Sequence, residues 1–388
     1  MVPRSPRSRT ALALPAALAA TTLGALTVAG PASAVEAPAQ VGPPAYTLTL
    51  KTPGSKAVRR LDGILPHASV GEVLGSANRN ASALPAGHPS RAAKGFQNGF
   101  RFNGEDTATK KFYPQGITGT ADASPDGLVD GRKALLVSWY AKDPKGTKTV
   151  HPGVRISFVT AEKLSAAKYR HVLLVDPYTR KDKTADFRST ASHAGGIAWV
   201  GRRLYVAETT GGLSVYDTGR MWKVSATSGN KAKVGCTPNP CEAADYQYVL
   251  PKVASYQAKG GLRFSSVSYD RSTNSLMTGE YIDGKPGSRL VRWPLGADGA
   301  LAGGKVTSPS GVWTTTATNV QGAMTVGNTL YLSTSGKNHS LFQGPLGGAL
   351  QGRGWPTGGE DLTFASASNR IYSLTESPGN RSVFAVSR

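Results

Sequence analysis

Arg203-Leu-Tyr-Val-Ala-Glu-Thr209 and Thr329-Leu-Tyr-Leu-Ser-Thr334 are the stretches that decide the fold. Each reads as a short strand carrying Leu and Tyr, and each follows the same prelude: a small or polar pair, an apolar strand and a tight polar turn. Five such preludes begin at Gln115-Gly116-Ile117, Gly195-Gly196-Ile197, Ser265-Ser266-Val267, Gln321-Gly322-Ala323 and Glu360-Asp361-Leu362. Turns such as Val200-Gly201-Arg202 and Val326-Gly327-Asn328 have hairpin chemistry. A third strand follows, as in Gly212-Leu-Ser-Val-Tyr-Asp217 and Ser382-Val-Phe-Ala-Val386.

One sheet of three or four strands cannot bury both faces, so the copies must stack around an axis. The fold class is therefore all-β, a β-propeller with five readable blades. At roughly 45 residues per blade the chain has room for up to seven. A β-sandwich would not repeat the same start and the same second strand five times. Tyr46-Thr-Leu-Thr-Leu50 alternates and is expected to complete the last blade, closing the ring with an N-terminal strand. Residues 76–104 read as a surface excursion. The domain organisation is a signal peptide over 1–34, a flexible segment over 35–45 and a single propeller over 46–388.

The export signal rests on Arg4, Arg7 and Arg9, an Ala-rich apolar stretch and the small residues Ala32-Ser33-Ala34, with cleavage expected after Ala34. The protein is thus expected to be secreted, extracellular or associated with the cell wall. The chain has 388 residues, with 45 Lys+Arg against 24 Asp+Glu. Loss of the three leader arginines leaves 42 basic residues against 24 acidic ones, a net charge of +18. That excess suits anionic cell-wall polymers as partners. No nucleic-acid motif or focused basic stripe is present, and no later segment is apolar enough for a membrane. In an exported chain the close pair Cys236 and Cys241 reads as a disulfide clipping a short loop.

Catalytic patterns are sparse. The aligned rim positions hold Gln115, Gly195, Ser265, Gln321 and Glu360, with Asp361 next along. Glycosidic cleavage by acid and base ordinarily needs two separated carboxylates, and here the acids are adjacent in one blade. A propeller glycan hydrolase or lyase using Glu360, Asp361 and His193 is the alternative, and a lectin-like module is a third class. Glu208, Glu280 and Glu376 end second strands and are expected at the opposite rim. The histidines show no metal-ligand spacing, and nucleophile-elbow, P-loop and dinucleotide fingerprints are missing, so neither metal nor cofactor is expected. Trp139, Trp199, Trp293 and Trp313 lie in strand patterns and are expected to pack.

The glutamines suggest a different role. Gln40 lies in Ala37-Pro-Ala-Gln-Val-Gly-Pro-Pro44, where Pro and small residues disfavour regular structure, while Gln115 and Gln321 are at rim positions. Gln343 and Gln351 lie in Gly-rich turns. A transglutaminase thiolate attacks a Gln carboxamide on an accessible chain and passes the acyl group to an amine. Lys142, Lys145, Lys148, Lys181 and Lys183 are candidate amine donors.

An exported basic propeller with a Gln-bearing N-terminal segment and no catalytic set resembles the dispase autolysis-inducing proteins. The resemblance rests on architecture, export and Gln placement rather than on a sharp motif. It implies a seven-bladed, non-enzymatic propeller that is a transglutaminase substrate. It also implies cross-linking at Gln40 and the rim glutamines, with a thermolysin-like neutral metalloprotease as partner, whose autolysis it provokes.

Overall fold

The computed structural model describes residues 33–42, 46–142, 153–337 and 339–388. Five antiparallel blades stand around one axis, one for each copy of the repeat. Blade 1 runs outward through Phe112–Gly119, Ala134–Ala141, Arg155–Thr160 and Lys168–Thr179. Blade 2 holds Ile197–Val200, Arg203–Glu208, Gly212–Asp217 and the long strand Tyr248–Lys259. Blade 3 comprises Phe264–Asp270, Ser275–Glu280, Ser288–Pro294 and Gly311–Thr315. Blade 4 comprises Val320–Val326, Thr329–Thr334, Leu341–Pro345 and Leu350–Arg353. Blade 5 begins Thr363–Ala365, Arg370–Thr375 and Ser382–Ser387.

The core is five apolar layers between blades, as expected of sheets that cannot bury both faces alone. Leu136, Ile197 and Trp199 pack between blades 1 and 2, and Tyr205, Val267 and Trp293 between 2 and 3. Met277 and Ala323 join blades 3 and 4, and Met324, Leu362 and Ile371 join 4 and 5. Ile117, Trp139 and Leu374 close the ring between 5 and 1. The tryptophans pack as expected, with Trp139, Trp199 and Trp293 fully buried and Trp313 nearly so. Close approach near the axis requires glycine: a Cβ on Gly196 would stand 2.4 Å from Val267 N, and one on Gly195 would stand 2.2 Å from Ser265 O.

Three expectations are corrected. The described residues form five blades, the number of readable copies, and not the seven implied by the resemblance. The ring is closed by an N-terminal strand, but that strand is Phe96–Arg101, which pairs with Ser382–Ser387 in blade 5. Its alternating Phe96, Asn98 and Phe100 lie within residues read as a surface excursion. Thr47–Lys51 instead adds to the outer edge of blade 2, pairing with Ser255–Lys259. Finally, residues 35–45 include paired strand: Ala34–Val35 lies against Leu350 and Gln351 of blade 4, and Ala39–Gln40 against Trp313 and Thr314 of blade 3. An exposed edge strand supplies free N–H and C=O groups that capture even two residues of extended chain.

The N-terminal chain thus visits the outer edges of blades 4, 3 and 2 in turn. Arg79–Asn80 then pairs with Tyr169 and Lys168 on the edge of blade 1, before the chain enters blade 5. The expected disulfide joins Cys236 and Cys241 with an S–S distance of 2.03 Å. It lies in an apolar cluster with Trp222 and Val249 outside the ring. Among the described residues no helix is long and apolar enough to cross a membrane.

Candidate functional site

The starts of the inner strands converge on the axis, and Asp361 occupies its centre. Its Oδ2 accepts from the backbone N–H of Ile117 in blade 1 and of Ile197 in blade 2, both at 3.1 Å. Its own N–H points to Gln115 O at 3.4 Å. One carboxyl thus ties three blades together. Asp361 is 0% exposed and Glu360 1%, so neither touches solvent. Asp361 Oδ1 and Glu360 Oε1 have no hydrogen-bond partner among the described residues. Burial pushes both carboxyls well above the usual range; in Glu360 the nearby charges of Glu376 and Asp361 add to it.

Glu208, Glu280 and Glu376 are at the same rim as these starts, not the opposite one. An antiparallel second strand must end where the first begins, as the pairing of Phe264 with Glu280 shows. The three acids have separate roles. Glu280 is buried in an ion pair with Arg289, and Glu208 accepts from Ser214 Oγ beside Lys252. Glu376 faces Gln115, whose Nε2 donates to its Oε2 at 2.9 Å. Burial raises the Glu376 pKa against the lowering effect of that hydrogen bond.

Around the mouth lies an aromatic ladder. The rings of Tyr140 and His193 are 4.4 Å apart, and those of Tyr113 and Tyr140 5.7 Å. The guanidinium of Arg381 lies over Tyr113, as does the Lys142 ammonium. Burial, then Glu376, raises the Tyr140 hydroxyl to about 12, and burial lowers the His193 imidazole. His193 keeps solvent access, but no hydrogen bond joins it to Glu360 or Asp361 among the described residues. The expected trio is therefore not assembled as an acid–base set.

Just past the end of the inner strand Phe112–Gly119, Asp122 accepts from Thr118 Oγ1 at 2.8 Å and Thr363 Oγ1 at 2.6 Å. Sequence reading also missed a buried relay in blade 1. Ser157 Oγ lies 3.0 Å from His171 Nδ1, and His171 Nε2 lies 3.1 Å from Asp106 Oδ2. Cross-strand pairing brings Ser157 and His171 together, and Asp106 comes from the separate segment Gly104–Ala108, so no sequence spacing announced the set. The relay resembles a hydrolytic triad in residue types only. Ser157 is 0% exposed and its Oγ already accepts from Trp139 Nε1 at 2.8 Å. Its work is to satisfy buried polar groups.

The glutamines separate by exposure. Gln40 and Gln351 are exposed on blade edges, opposite Trp313 and Ala34. Gln321 is half-buried with its Nε2 3.3 Å from Ser335 Oγ, and Gln343 is half-buried between Tyr331 and Gln351. Gln115 is 4% exposed and bonded to Glu376, which puts its carboxamide out of reach of a thiolate and corrects its reading as an acyl donor. Lys142, Lys181 and Lys183 are exposed, while Lys145 and Lys148 lie outside the described residues. Among the described residues no three His, Cys, Asp or Glu side chains converge as metal ligands would.

No protein-family model matches the chain, and no curated protein matches it significantly. Among solved structures it is similar to a gluconolactonase from Xanthomonas campestris, with 12% identity and a TM-score of 0.33 over 79% of this chain and 94% of that one. It is also similar to PhoX from Pseudomonas fluorescens, with 10% identity and a TM-score of 0.35 over 91% and 98% of the two chains. Likeness at this level carries nothing about activity.

Proposed function

We propose that the protein is an exported, non-enzymatic propeller scaffold, cross-linked by transglutaminase through Gln40 and Gln351. The observation that supports it is the burial of the axial acids: among the described residues, the adjacent acids Glu360 and Asp361 are out of contact with solvent, and Asp361 is bonded to the backbone of two other blades. Gln40 and Gln351 instead lie exposed on short strands at the outer edges of blades 3 and 4. Thiolate attack on the carboxamide carbon forms a thioester and releases ammonia; a Lys amine then takes the acyl group and frees the thiol. Lys142, Lys181 and Lys183 are donors for such links. The resemblance to dispase autolysis-inducing proteins supports a thermolysin-like metalloprotease as a partner, and the net charge supports anionic wall polymers.

The test is incorporation of a fluorescent amine by an added transglutaminase, followed by peptide mapping. Label should concentrate on Gln40 and Gln351, fall strongly in Gln40→Asn with Gln351→Asn, and be missing from Gln115. Unchanged labelling in the double variant refutes the assignment.

A glycan hydrolase or lyase remains the second reading, favoured by one observation. Glu360 carries an unpartnered oxygen and a raised pKa close to Glu376, the state of a general acid. Release of reducing sugar from wall or plant polysaccharides, abolished by Glu360→Gln, would establish it over the scaffold.

A further inference from the structure

A cleft of about 480 Å³ opens beside the outer half of blade 1, away from the axis. Its cations come from five separate segments: Arg79, Lys111, Arg155, Arg170 and Lys231. Glu105, Asp106 and Asp245 oppose them. His171 adds no charge near neutrality, because burial and then Arg155 hold its imidazole at about 3. The lining therefore carries two more positive charges than negative ones.

Asp106 is already saturated. It accepts from Arg155 Nη2 at 2.6 Å, from Tyr169 Oη at 2.6 Å and from His171 at 3.1 Å. Burial disfavours its charge, but His171 and Arg155 outweigh that and hold its carboxyl well below the usual range. Its charge is thus spent within the floor of the cleft. Two arginine donors are left over. Arg155, 6% exposed, has a buried Nε without an acceptor among the described residues. Arg79 Nε lies 3.3 Å from Asp106 Oδ2 but makes no hydrogen bond among the described residues. Both Nε atoms are shut off from the cleft, so the donors it offers a ligand are on the part-exposed Arg79 side chain and on the two lysines at its edge. Lys111 and Lys231 stand exposed at the edge and form no ion pair among the described residues.

We propose that this cleft binds a compact oxyanion of the phosphate class, carried on a small sugar or polyol. Guanidinium forks match phosphate oxygens in pairs, and the charge excess of two matches a phosphate dianion. The volume leaves room for a substituent beyond the phosphate. The inference is independent of cross-linking, since its test contains no transglutaminase.

The experiment is calorimetric titration of the mature protein with inorganic phosphate and, separately, with glycerol phosphate at low salt. One saturable site per chain is expected. Arg79→Gln should weaken it at least tenfold and Lys231→Gln severalfold, while Lys285→Gln in blade 3 leaves it unchanged. Tighter binding of the ester assigns an esterified ligand; equal binding assigns the free anion, and with it loses the substituent half of the proposal. Lys231 is exposed, so its variant reports even where Arg79→Gln fails to fold. Absence of saturable binding by the wild type, or equal affinity in the Lys231→Gln and Lys285→Gln variants, overturns the site.

Discussion

Replacing Asp122 with Asn should flatten the pH dependence of stability between pH 5 and pH 8. Asp122 is 6% exposed, and burial raises its pKa to about 6 against the lowering effects of Thr363, Thr118 and Arg271. An acid whose folded pKa exceeds its unfolded value binds more protons when folded. Stability is then greatest at low pH and falls as pH rises from about 4 to about 6. A shift of about two units corresponds to about 3 kcal/mol, and roughly half of that falls above pH 5. Asn keeps a carbonyl oxygen for the two threonine hydroxyls but cannot ionise. Asp361, Glu360 and Glu376 are also pushed up and contribute a background slope of the same sign. Urea unfolding of both proteins at pH 5 and pH 8 isolates Asp122 as a difference of differences, expected at about 1–2 kcal/mol. Equal pH slopes in the two proteins would refute the reasoning.

Asp361→Ala should destabilise by about 2–6 kcal/mol, because two buried N–H groups lose their acceptor at about 1–3 kcal/mol each; Asp361→Asn, which keeps an acceptor, should cost much less in the same urea titration. Gly196→Ala should lower the thermal midpoint by several degrees, since its Cβ would meet the backbone of Val267 at 2.4 Å; an unchanged midpoint would mean that the blades can part at the axis. Binding to purified cell wall should weaken steeply as salt rises, because exposed charges act over about 8 Å at physiological ionic strength; a flat salt series would assign that binding to shape and apolar contact.

The blades were legible because each copy obeys local rules: apolar alternation, polar turns and a glycine or small residue where strands crowd the axis. The readable copies match the five blades, although the length alone left room for up to seven. The closing strand was less legible, since Phe96-Gln-Asn-Gly-Phe-Arg101 has a weak pattern and its register is set by a partner, Ser382–Ser387, at the far end of the chain. The strand at Ala39–Gln40 was hidden for a related reason. Local composition disfavours strand there, but a waiting edge beside Trp313 overrides propensity. The side of the ring on which Glu208, Glu280 and Glu376 stand was readable from antiparallel geometry alone. The Arg79, Arg155 and Arg170 cleft was not, because its residues come from segments that only the folded ring brings together.

The path of the N-terminal chain gives these features a common cause. A propeller buries the faces of its sheets between neighbours but leaves the outermost edges unpaired, and unpaired edges recruit other chains. Ala34–Val35, Ala39–Gln40, Thr47–Lys51 and Arg79–Asn80 occupy the edges of blades 4, 3, 2 and 1 in that order, before Phe96–Arg101 completes blade 5. The contributions are unequal. Phe96–Arg101 places Phe100 in the interblade core, whereas Ala39–Gln40 has no fully buried side chain and is held mainly through its backbone. Closure of the ring therefore rests on Phe96–Arg101, and detachment of Ala34–Val35 and Ala39–Gln40 is expected to leave the core in place. Detachment would bare the edges of blades 3 and 4 and free Gln40 together, so cross-linking at Gln40 and edge-to-edge association should rise under the same conditions.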